Sequence, residues 1–158
     1  MVSNGKKYKI KKWHFYLIGF VVAFSFVLKG YYYYWPKTNI LINGTIQEIL
    51  LADNYRRWNV GLSKRKSMNK YPGMIFVFPN RDRHVMVMRD MNFSLDMLWI
   101  DSGKVVEIIE NIQPEPGVAE SQLKQFFSVT PADMVLELKS EYVKNNNIKI
   151  GDNIILLN

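Results

Sequence analysis

The first 35 residues constrain this chain more than any other stretch. Residues 1–12 carry Lys6, Lys7, Lys9, Lys11 and Lys12. Trp13 to Leu28 then runs without a charge, Lys29 and Gly30 follow, and Tyr31, Tyr32, Tyr33, Tyr34 and Trp35 close the segment. A basic patch, an apolar run and an aromatic belt together mark a membrane-spanning helix. Trp13 to Leu28 alone is 16 residues, about 24 Å of helix and short of a hydrocarbon core of about 30 Å. Extension to Trp35 gives about 34 Å, because Lys29 can snorkel and the rings favour the headgroup level. The competing reading is a cleaved secretory signal, whose apolar region ends at small residues. Here the run ends in tyrosines, Trp35 and Pro36, so an uncleaved anchor is expected. Five lysines precede the helix and only Lys29 and Lys37 closely follow it. The positive-inside rule then keeps the N-terminus cytoplasmic and sends the rest outside. The expected layout is a basic tail over 1–12, a signal-anchor over 13–35, a linker over 36–39 and an extracytoplasmic domain over 40–158.

The anchor also accounts for the charge. The chain has 21 Lys+Arg against 14 Asp+Glu. Setting aside the five N-terminal lysines and Lys29 leaves 15 against 14, a net charge of +1. The basic excess is therefore a topology signal and not a nucleic-acid footprint, which would sit on the folded domain. Arg56, Arg57, Lys64, Arg65, Lys66 and Lys70 form one stretch without an acid. It reads as a solvated face or as a patch for anionic headgroups. Cysteine is absent, so the exported part has no disulfide and no thiol chemistry and must be held by its core.

The domain reads as strands with few helices. Ile40 to Ile42, Asn43-Gly44 and Thr45 to Ala52 form a hairpin, because Asn-Gly supplies the positive φ angles of a two-residue turn. Asp53 is the expected cap of a short helix through about Leu62. Gly73 to Phe78 reads as a buried strand stopped by Pro79-Asn80. Further strands are expected at His84 to Met88, Met97 to Ile100, Val105 to Ile109, Met134 to Leu138 and Ile154 to Leu157. A loop is expected over 112–118, with Pro114, Pro116 and Gly117, and one or two helical turns over 140–146.

Several stretches in series resemble one family. Gly61-Leu62-Ser63 follows its Gly-Leu-Met, and Gly73-Met74-Ile75-Phe76-Val77-Phe78 follows its Gly-Met-Leu-Phe-x-Phe. Met86 to Met91 and Ser94 to Asp101 follow Phe-Trp-Met-Lys-Asn-Thr and Pro-Leu-Asp-Ile-Leu-Phe-Ile-Asp. Val135-Leu136-Glu137-Leu138 follows Val-Leu-Glu-Leu, and Asn147 to Asp152 is close to Gly-Ile-Lys-x-Gly-Asp. From about Ile40 to Leu157 the chain thus resembles the domain of unknown function 192 family. The resemblance implies an α+β, mainly β fold: a compact antiparallel sheet or barrel-like domain with short helices, behind the transmembrane helix. It implies no established reaction and no cofactor. Departures fall inside the polar motif, where Val87, Asp90, Met91 and Ser94 replace the family's Trp, Asn, Thr and Pro.

The resemblance marks Gly61, Met88, Arg89, Asp90, Asp96 and Glu137 as candidate site residues. Arg89, Asp90 and Asp96 place one cation and two carboxylates within eight residues. They could grip an anion and act as acid or base, or they could pair and cap turns. His84, Met86 and Met88 would share one face of a strand, a donor set that suits Cu(I), although methionine is also ordinary core filler. The expected function is a non-catalytic binding or accessory module for a protein or glycan partner. The alternatives are an enzyme or ligand pocket on Arg89, Asp90 and Asp96, and a Met/His copper site.

Overall fold

The computed structural model describes residues 11–157. Lys6, Lys7 and Lys9 of the basic tail lie outside the described residues. The chain forms two compact units, divided between Tyr34 and Trp35.

The first unit is helix α1 (Lys12–Tyr33), 22 residues and about 33 Å long. It is long and apolar enough to cross a membrane. Phe15, Phe20, Phe24, Phe26 and Val27 are all exposed. A helix apolar all round needs an apolar surrounding.

The second unit is a curled seven-stranded sheet, a half-barrel. Its elements are β1 (Lys37–Ile42), β2 (Thr45–Ala52), α2 (Tyr55–Val60), β3 (Gly73–Asp82), β4 (Leu95–Asp101), β5 (Lys104–Ile112), β6 (Ala132–Lys139), α3 (Tyr142–Asn145) and β7 (Ile154–Leu157). A 3₁₀ turn spans Glu120–Gln122. The order across the sheet is β5-β4-β6-β3-β2-β1-β7. Neighbours run antiparallel except β2 and β3, which pair parallel at Leu50–Met74, Leu51–Ile75 and Ala52–Phe76. The β2–α2–β3 crossover makes that exception.

Local chemistry accounts for the turns. Asn43 and Gly44 take φ of 46° and 80°, and Ser102 and Gly103 take 50° and 78°. Two successive positive φ angles are the mark of the type I′ hairpin, whose twist matches its strands. The cap of α2 is Asn54, not Asp53: its side chain accepts from the Arg57 N–H at 3.1 Å, while Asp53 pairs with the Arg57 guanidinium. β1 begins at Lys37, so Lys37, Thr38 and Asn39 lie in the strand and not in a linker. β3 runs on through Pro79 to Asp82. Its ladder to β6 is interrupted between Val77 and Asp82, where a residue without an N–H does least harm.

Strand alternation divides the interior into two layers. Met74, Phe76, Met97, Trp99 and Val135 face one layer, and Ile75, Leu98, Ile100, Leu136 and Leu138 face the other. The loops that include Met68 and Met86 to Met91 cover the first layer. Val143 and Ile148 cover the second. Both faces of the central strands are therefore buried.

Candidate functional site

Glu137 sits on β6, an interior strand of the sheet between β4 and β3, and is flanked in sequence by Leu136 and Leu138. Its cross-strand partners are Met74 on β3 and Met97 on β4. Alternation points it into the first layer with Val135. It is 4% exposed. That burial pushes its carboxyl up to about 8, because a low-dielectric surrounding penalises the charged form.

Glu137 lines an open cleft of about 240 Å³. One wall is α2 and the turn after it, a second is the Phe76 and Phe78 part of β3, and a third is the segment from Val85 to Met91. Trp58 donates its indole N–H to the carbonyls of Ala52 (3.0 Å) and Val77 (3.1 Å). The polar end of that ring is thus satisfied within the fold. The same ring lies 5.4 Å from Phe78 in a tilted pair. Gly61 belongs to the turn wall with φ of 48°, and a Cβ there would lie 3.3 Å from the Phe76 ring. Gly61 therefore keeps the turn close against β3.

Arg89 stands on the cleft wall and also lines a second groove of about 540 Å³, with Lys64, Asn92 and Glu115. Its Nη1 donates to the Asn59 carbonyl at 2.9 Å, and its Nη2 pairs with Glu120. Its Nε is buried without a hydrogen-bond partner.

The remaining motif residues go elsewhere. Asp90 is exposed at φ 51°, and its side chain lies 3.6 Å from the Lys64 ammonium. Asparagine and aspartate both tolerate this left-handed position, so the exchange from the family's Asn preserves the turn. Asp96 is fully buried. One oxygen accepts from the Asn111 N–H (2.9 Å) and the other from the Val143 N–H (3.0 Å). It faces the second layer, opposite to Glu137 and the cleft. The proximity of Arg89, Asp90 and Asp96 in sequence therefore does not make one polar pocket. Met88 is core, 0% exposed.

The strand expected at His84 to Met88 requires another correction. His84 to Met88 is not a strand but a covering segment with a single bridge, Met86 to Phe126. Its backbone is partly used by the core, since Trp99 donates its indole N–H to the His84 carbonyl at 3.2 Å. The His84 ring stacks on Phe78 at 3.7 Å and its Nε2 lies 3.0 Å from the Asn80 carbonyl. No group of three His, Cys, Asp or Glu side chains able to hold a metal occurs among the described residues.

Glu137 entered the sequence reading only through a family motif. A stronger signal was available: one acid inside the apolar strand Met134 to Leu138, at a position that alternation assigns to the core.

The fold is a small β half-barrel with a buried acid beneath an open cleft. The chain belongs to the DUF192 family (domain of unknown function 192, "Uncharacterized ACR"), whose model matches residues 38–156. Two solved structures share the fold. One is a Sinorhizobium meliloti protein provisionally described as a transcription regulator, 27% identical, covering 77% of this chain and 95% of its own, with a TM-score of 0.66. The other is a Novosphingobium aromaticivorans protein of unknown function, 21% identical, covering 77% and 84%, with a TM-score of 0.63. No curated protein matches this chain.

Proposed function

We propose that this chain is a single-pass, membrane-tethered binding module whose extracytoplasmic domain captures its partner at the Glu137 cleft. The observation that carries the reading is an acid, 4% exposed, that lines an open cleft. Apolar clefts with few polar groups are the usual form of a ligand site. The anchoring reading rests on the apolar α1 and on the lysines before it. A non-catalytic role is favoured because Asp90 and Asp96 lie outside the cleft lining, which leaves Glu137 as its single carboxyl group. The near-neutral balance of the domain does not support nucleic acid as the partner.

The test is a screen of uncharged fragments by saturation-transfer NMR on the full chain in non-ionic micelles. Bound fragments should lose their signal with Glu137→Met, a variant that keeps the volume and should melt no lower than wild type. Equal binding to that variant would sink the reading.

A further inference from the structure

We infer that the cleft selects an uncharged, ring-sized molecule bearing a carbonyl or hydroxyl oxygen, held by Glu137 as a hydrogen-bond donor. This rests on the cleft being the binding site.

Size comes first. An apolar cavity of about 150 Å³ accommodates benzene, so a space of about 240 Å³ admits one substituted ring. Trp58, Phe76 and Phe78 offer ring surfaces to it.

Charge comes next. A cation would require the Glu137 carboxylate, whose strand neighbours Met74 and Met97 offer no hydrogen bond to stabilise it. The cation would also meet Arg89, the other charged residue of the lining. An anion would find the Arg89 guanidinium already paired with Glu120 and hydrogen-bonded to the Asn59 carbonyl. A neutral oxygen meets neither obstacle. It accepts from the Glu137 O–H, and the Glu137 carbonyl oxygen accepts in return from an N–H or O–H of the ligand. The acid stays protonated near neutral pH because burial favours its neutral form. Tyr55 and Arg89 are the other titratable groups of the lining, and β3 and β4 present only methionines beside Glu137.

Three probes of one shape separate the alternatives: benzamide, benzoate and benzamidinium. Each is titrated into the full chain in non-ionic micelles at pH 7, with ¹³C-methyl methionine NMR as the readout. Met86 and Met91 line the cleft; Met91 also borders the second groove, so a shift at Met86 is what reports occupancy of the cleft. Benzamide should shift both methyl signals at concentrations at least tenfold lower than either ion. Its affinity should survive Glu137→Gln, fall about tenfold in Glu137→Met, and weaken above about pH 8 in wild type but not in the glutamine variant. If benzoate or benzamidinium binds as tightly as benzamide at those methyls, selection for a neutral ligand is overturned while the cleft stands as a site. If none of the three moves either methyl, the cleft reading falls as well.

Discussion

Replacing Glu137 by glutamine should flatten the pH dependence of the domain's stability. Burial moves this carboxyl from an ordinary value of 4.5 to about 8. Below about pH 4.5 the folded and unfolded chains both hold the proton, and the group exacts nothing. As pH rises, the unfolded chain releases its proton while the folded one cannot, so stability falls. The fall ends once the folded carboxyl ionises, above about pH 8. At about 1.4 kcal/mol per pH unit the whole loss amounts to about 5 kcal/mol. Between pH 5 and pH 8, wild type should lose about 3–4 kcal/mol more than Glu137→Gln. Urea unfolding of the full chain in non-ionic detergent, followed by tryptophan emission, measures this directly, because Trp99 is fully buried. Parallel curves for wild type and variant across this range would refute the reasoning. They would mean that water or a rearranged donor reaches the carboxyl.

Other substitutions test the placements. Asp96→Ala should cost about 3 kcal/mol by urea unfolding, since it strands the N–H groups of Asn111 and Val143. Asp96→Asn should recover little of that, because its amide turns a donor toward one of them. Asp90→Asn should change stability by less than about 0.5 kcal/mol, since Asn suits φ 51° and an exposed pair with Lys64 contributes little. Gly73→Ala should cost more than about 4 kcal/mol, seen as loss of cooperative unfolding. Its Cβ would lie 2.0 Å from the Glu137 carbonyl oxygen, a backbone atom held by the sheet.

Legibility in the sequence followed the range of the interactions. The Asn43-Gly44 turn could be read because a two-residue turn is decided by its own φ angles. β4, β6 and β7 could be read because short apolar runs between turn signals leave few options. The parallel pairing of β2 with β3 could not, because neither run encodes which neighbour it will meet. His84 to Met88 had the alternation of a strand, yet it serves as cover over the first layer, and alternation does not distinguish the two. Asp90 and Asp96 look alike in the chain. One occupies an exposed turn and the other is sealed beneath α3, a difference set by residues some 50 positions away. Glu137 was legible as an acid out of place, but the cleft above it depends on α2 with its following turn, β3 and the Val85 to Met91 segment meeting from separate parts of the chain.

The sheet order carries a consequence for biosynthesis. The first strand of the domain is hydrogen-bonded along one edge to the last, with Asn39 to Ile42 opposite Ile154 to Leu157. The ribosome makes β1 long before β7, and at about 5–20 residues per second the interval is on the order of ten seconds. Throughout that time β1 offers unpaired N–H and C=O groups to any strand nearby. A nascent copy on the same messenger is such a strand, so chaperone protection of residues 37–42 during synthesis would count for more than their small share of the core suggests.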